Sequence, residues 1–174
     1  MKSTKKITFC AILSALCVVI MLVSYFPYLT YAVPAFASLI MMVILIELGL
    51  KWSFFSYLTA SFLVFLFAET ESKILFIMFF GFYPIIKAII EKIGKPIIEW
   101  CIKFLVFNSA VLSAYFILTK LFMLPMDDLG DFQKYGTAIL LLMANVVFVF
   151  YDIVITKMAV TYIAKFHSRV SKFL

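Results

Sequence analysis

Residues 7–46 read ITFCAILSALCVVIMLVSYFPYLTYAVPAFASLIMMVILI and hold no charged side chain. A membrane-spanning helix needs about 20 mainly apolar residues, so this stretch is too long for one span and long enough for two. Pro27 and Pro34 flank Tyr28-Leu29-Thr30-Tyr31 and break the run there, because proline removes a backbone donor and cannot continue a helix. The reading is a first helix over 7–25 and a second over 34–48.

The same pattern extends outward. Residues 52–68 form the next uncharged run, and 74–86 another, which continues past Lys87 to about 93. Gly94 and Pro96 stop that helix and start the next. A fifth helix is expected over 97–123 and a sixth over 137–163. The expected fold is all-α, an integral membrane six-helix bundle in a single transmembrane domain over 1–174. Helices suit that setting because each satisfies its own backbone groups in lipid. No internal repeat is evident.

Composition agrees. The chain has 174 residues, 66% of them hydrophobic, with mean hydropathy +1.16. Soluble domains run nearer half apolar, and a small globule has too much surface to hide such an excess. Residues 1–6 are basic and precede an apolar run, as in a signal peptide. The run is long for that, and its small residues are scattered, so a retained first helix is expected.

Charge sets the expected orientation. With the amino terminus inside, the inner segments hold Lys2, Lys5, Lys6, Lys51, Lys87, Lys92, Lys95, Lys103, Lys157, Lys165, Arg169 and Lys172. The outer ones hold Lys73, Lys120 and Lys134. Twelve against three is a strong positive-inside bias, which places the chain in the cell membrane with both termini cytoplasmic. The net charge of +6 is spread over helix ends, so it calls for no nucleic-acid partner.

Few residues offer enzyme chemistry. None of the five glycines belongs to a phosphate-binding GxxxxGK[ST] loop. The single histidine, His167, sits in a basic tail and reads as solvated, with no catalytic or metal role. Asp127, Asp128 and Asp131 spell DDxxD, but in a Pro/Gly-bearing stretch that reads as a hydrated outer loop. Cys10, Cys17 and Cys101 have no metal or redox spacing and read as buried free thiols. The chain is expected not to be an enzyme and to need no cofactor and no metal.

Small residues and intramembrane polar residues say more. Ala11, Ser14, Ala15 and Val18 form a narrow strip on helix 1. Ser56-xxx-Ala60, Ser109-xxx-Ser113 and Ala110-xxx-Ala114 form others. Such strips let helices approach closely in lipid, within this bundle or against another subunit. Tyr83 and Lys87 share a face of helix 4, Asn145 and Asp152 a face of helix 6, and Asn108 and Tyr115 a face of helix 5. At about 1.5 Å rise per residue, Lys87 and Asp152 fall at matching depth. An unpaired charge there is costly, so a buried Lys87–Asp152 ion pair is expected, with direct contact to a substrate or ion as the alternative. The first outer loop, 26–34, is aromatic, uncharged and stiff. It suits the membrane boundary, or the cover of a site for a flat or amphipathic ligand.

In size, in six spans with both ends inside, and in Lys5-Lys6-Ile7-Thr8 followed by Ala11-Ile12-Leu13-Ser14-Ala15, the chain resembles an S-component. S-components are the small substrate-binding subunits of energy-coupling factor (ECF) transporters. The resemblance implies capture of a vitamin or related micronutrient at the outer face, between helices 4 to 6, under lids from the first and fifth loops. It implies subunit docking through Ala11 and Ala15 onto a transmembrane coupling subunit, with ATP hydrolysed by two partner ATPase subunits. Tyr28, Tyr31, Tyr83, Asn108, Tyr115, Lys120 and Asn145 become the substrate-binding candidates. No signature for riboflavin, thiamine, biotin or folate is present. The alternative is an MreD-like membrane scaffold, which needs a partner surface but no ligand cavity.

Overall fold

The computed structural model describes residues 3–26, 28–120 and 136–173. Every regular element among them is helical. They are α1 (Ser3–Leu22), α2 (Ala32–Leu48), α3 (Leu50–Phe67), α4 (Thr70–Leu75), α5 (Tyr83–Ile90), α6 (Pro96–Lys120), α7 (Gly136–Tyr162) and α8 (Ser168–Phe173). Short 3-10 turns follow α1 and α5, and π-helical turns, Phe76–Phe80 and Ile163–His167, follow α4 and α7. Among the described residues, five stretches are long and apolar enough to cross a membrane: Thr4–Tyr25, Leu50–Phe67, Thr70–Ile93, Pro96–Leu118 and Leu141–Val170.

The remaining apolar helix, Ala32–Leu48, has 17 residues. At about 1.5 Å per residue it covers roughly 25 Å, a little less than a hydrocarbon core of about 30 Å. It is also the central helix, packing on α1, α3, α5 and α7. That position explains its composition, which is apolar on nearly every side. One buried cluster joins Cys17, Met21, Met41, Ile44 and Val64 across α1, α2 and α3. A second joins Met42 to Phe79, Tyr83, Phe107 and Phe148 on α2, the first π turn, α5, α6 and α7, and a third, smaller one joins Ile74 to Ala114 and Leu118.

Helix ends follow local chemistry. Glu69 caps α4, its carboxylate accepting from the backbone N–H groups of Glu71 and Ser72 at 3.1 and 3.0 Å. That cap starts the helix four residues before the expected 74, and it places an acidic group at a helix N-terminus, where the dipole favours it. At the other boundary Gly94 takes a left-handed φ of 70° and Pro96 opens α6, which is the expected break between them. The last span runs further than expected. A π turn carries α7 through His167 into α8, so 163–173 is helical rather than tail.

Two groupings define the ends of the bundle. Tyr25 donates to the Phe67 carbonyl at 3.0 Å, Tyr31 to Glu71 at 2.9 Å, and Ser72 to the Thr30 carbonyl at 2.7 Å, tying the first loop to the start of α4. At the opposite end, near the Gly49 turn, Glu47 meets Tyr162 at 2.9 Å and His167 at 3.1 Å.

The π turn at Phe76–Phe80 ends on Gly81, whose N–H bonds the Phe76 carbonyl at 2.8 Å. A Cβ on Gly81 would lie 2.8 and 2.9 Å from the Tyr57 ring and 2.9 Å from the Phe76 carbonyl oxygen. Tyr57 cannot simply withdraw, because its hydroxyl is bonded to the Ile77 carbonyl at 2.7 Å. Gly81→Ala is therefore expected to destabilise by about 1–3 kcal/mol through overpacking. Thermal unfolding in detergent checks this, and an unchanged midpoint would mean that the Tyr57 ring yields freely.

The small-residue strips divide by exposure. Ser56, Ala60, Ala110 and Ala114 are buried and serve packing inside the chain. Ala11, Ala15, Ser109 and Ser113 are exposed on the outer surface of α1 and α6. Among the cysteines only Cys17 is buried; Cys10 is half-buried and Cys101 exposed, so the expectation of three buried thiols is corrected.

Candidate functional site

The helices leave a cavity of about 310 Å³ between them. Its wall comes from the α4–π segment (Leu75, Met78, Phe79, Phe80), from α6 (Phe107, Ala110, Val111, Ala114) and from α7 (Ala144, Val147, Phe148, Tyr151), with Tyr31 at its edge. The π turn matters here. It inserts an extra residue into the helix and places Phe79 and Phe80 on the cavity side, as such turns commonly do at functional sites.

Alanine at 110, 114 and 144 leaves the space. Aromatic rings define the other side. Phe107 and Phe148 stack with centroids 4.5 Å apart and planes 9° off parallel, while Phe79 meets both edge-on at 5.2 and 5.8 Å. Tyr83 lies behind this layer, fully buried, against Phe79 at 4.7 Å and Phe148 at 5.5 Å.

Beneath the aromatic layer, on the side away from Tyr31, is a ring of four charges. Lys87 lies 2.5 Å from Asp152 and 2.6 Å from Glu91. Lys103 lies 2.8 Å from Glu91 and 3.1 Å from Asp152. Cations and anions alternate, and the formal sum is zero. The ring joins α5 and its terminal turn to α6 and α7. Lys87, Lys103 and Asp152 are 3–4% exposed, so nearly all of their solvation must come from each other. Glu91 keeps 40% of its side chain exposed and opens the ring to one side. The Tyr83 hydroxyl donates to Asp152 and fastens the aromatic layer to the ring.

A third polar unit joins α6 to α7. Asn108 donates to Asn145 at 3.0 Å and Asn145 returns the bond at 2.9 Å. Each amide gives its other N–H to the carbonyl four residues earlier, Phe104 and Leu141. The donors of both amides are thus used within the pair and its own helices.

The expected residues fall as follows. Lys87 and Asp152 meet, in a network that also includes Lys103 and Glu91. Of the substrate-binding candidates, Tyr31 lines the cavity. Tyr83 is committed to Asp152, and Asn108 and Asn145 to each other. Tyr28 is 98% exposed and Tyr115 46%; neither lines the cavity. The Lys120 side chain, and Asp127, Asp128 and Asp131, lie outside the described residues. His167, expected as solvated tail, packs instead against the Glu47 carboxylate. Partial burial, together with the bond to Glu71, holds the Tyr31 phenol above its ordinary range, so it stays a neutral donor at physiological pH.

Sequence reasoning missed Lys103 and Glu91. Lys103 reads as one more inner charge and Glu91 carries no signal of its own; their meeting is set by the packing of α5 against α6. The cavity aromatics had no sequence signal beyond Gly81, which marks the break after Phe80. No family model, curated protein or solved structure matches the chain. The cavity can take up a small apolar body. The charge ring is too fully paired to act as an acid or base without first coming apart.

Proposed function

We propose that this chain is the substrate-capturing membrane subunit of an ECF-type importer. It loads a small micronutrient at the Tyr31 end and works with a coupling subunit and ATPase partners that supply the energy. The observation that carries the reading is the cavity, which lies between the α4–α5 unit, α6 and α7, with Tyr31 of the first loop at its edge. That is where the resemblance expects a ligand. Its volume falls at the lower end of small-molecule sites, about 300–1,000 Å³. The positive-inside count supports an orientation with the Tyr31 end outside and both termini in the cytoplasm.

The deciding experiment is to purify the chain from its own cells and identify any bound small molecule by mass spectrometry. One molecule recovered repeatedly in constant proportion to protein supports capture. Repeated emptiness with a stable protein companion supports an MreD-like scaffold instead.

The docking half of the proposal rests on Ala11 and Ala15. Both are exposed on α1, where small side chains let a partner helix approach closely. Replacing both with Leu is expected to abolish co-purification with the coupling subunit and to leave ligand binding by the isolated chain intact, because neither residue lines the cavity. Equal loss of both activities would give the strip an internal role.

A further inference from the structure

We infer that the cavity selects a neutral, largely apolar, ring-bearing small molecule, one that carries at most one or two hydrogen-bond donors. The inference rests on the capture reading and narrows its substrate class.

Polarity of the wall comes first. Among the described residues that line the cavity, all but Tyr31 and Tyr151 have apolar side chains. Both tyrosine hydroxyls have already spent their proton: Tyr31 donates to Glu71 at 2.9 Å and Tyr151 to Ser38 Oγ at 2.8 Å. Each still has oxygen lone pairs, so the wall can accept a hydrogen bond from a ligand but has no free hydroxyl proton to give. Among these side chains a carboxylate, phosphate or sulfonate would find no donor to replace its water. Moving an ion into such a space without a partner costs many kcal/mol.

The nearby polar groups do not change this. Lys87 and Lys103 are closed into the charge ring behind Tyr83, and the donors of Asn108 and Asn145 are all engaged. Shape and electronics favour rings. Phe107, Phe148 and Phe79 present a mixture of faces and edges, and aromatic pairs in offset or edge-on contact gain stabilisation beyond area burial. An acyl chain gains area alone.

Two probes that share one ring system test this on the full chain in detergent. N-phenyl-1-naphthylamine is neutral with one N–H. 8-Anilino-1-naphthalenesulfonate adds an anion to the same rings. The neutral probe is expected to bind saturably, one per chain, and the sulfonate more weakly by about tenfold or more. Ala114→Phe and Ala144→Leu fill the cavity from α6 and α7, and each is expected to weaken the neutral probe by about tenfold or more. Thermal unfolding reports whether each variant folds, and the two-probe comparison on the unaltered chain decides the charge question by itself.

Equally tight sulfonate binding, lost in the same variants, overturns the neutral class and leaves capture standing. Recovery of a charged micronutrient from the purified chain does the same. A phospholipid as the constant companion, with no saturable probe binding, gives the space to an acyl chain and overturns the inference. No saturable probe and no carried molecule of any kind overturns both readings.

Discussion

Asp152→Leu is expected to cost the folded chain about 3–5 kcal/mol, the range for removing one partner from a buried ion pair. The reason is the geometry around one carboxylate. Asp152 accepts from Lys87, Lys103 and Tyr83. Without it, two ammonium groups, each 4% exposed, share the single carboxylate of Glu91, and a buried phenol loses its acceptor. Lys87→Met is expected to cost less, because Asp152 then keeps Lys103 and Tyr83, and Glu91 keeps Lys103. The double variant Lys87→Met with Asp152→Leu leaves a balanced Lys103–Glu91 pair. It should therefore be more stable than Asp152→Leu alone, by about 1–3 kcal/mol, the usual size of coupling between contacting residues. Thermal or denaturant unfolding in detergent measures all three. Strictly additive losses would mean that the two residues do not interact. Binding of the neutral probe separates the alternative: Lys87 does not line the cavity, so Lys87→Met should keep the probe, whereas a lysine in direct contact with substrate would lose it.

That network also shows how far sequence could carry the reading. Lys87 and Asp152 stand out because a charge inside an apolar run needs a reason, and their depths match on helices that end in legible signals. Lys103 and Glu91 sit near the Gly94–Pro96 break, where charge is ordinary. Whether a long side chain at such a place reaches back into the bundle depends on which neighbour waits there, and that is a tertiary fact. Asn108 and Asn145 were conspicuous for the same reason as Lys87. Yet an amide facing another amide and an amide facing a ligand look alike in one dimension. His167 misled in the opposite direction. The helix continues through a π turn, which no proline or glycine announces, and brings the imidazole to Glu47, the one charged residue of α2. The helices themselves were legible because charge-free length and proline are local properties. The cavity was not, since it depends on alanines of α6 and α7 lying across from the rings of the α4–π segment.

Phe79 is where stability and binding should part. Six rings surround it, those of Phe80, Phe82, Tyr83, Phe107, Phe148 and Tyr151, with centroids between 4.7 and 6.4 Å. It is 4% exposed and yet lines the cavity. Removing the ring in Phe79→Ala loses these contacts, and the neighbours cannot close the gap, because one side is already empty. The expected cost is about 3 kcal/mol, at the lower edge of the range for burying and then deleting a phenylalanine ring. It stays that low because lipid tails are as apolar as the core, so packing rather than the hydrophobic effect is what is lost. Phe79→Ala also enlarges the cavity. If space limited binding, the neutral probe would bind more tightly to this variant; if the ring recognises the probe, it binds more weakly despite the added room. Phe79→Leu separates the two, since it keeps most of the volume and loses the π face. It is expected to cost only about 1 kcal/mol of stability, as conservative apolar swaps do, and still to weaken the probe by several-fold through the lost ring contact. Unchanged probe affinity in Phe79→Leu would mean that the wall reads volume alone, and the preference for a ring would have to be given up.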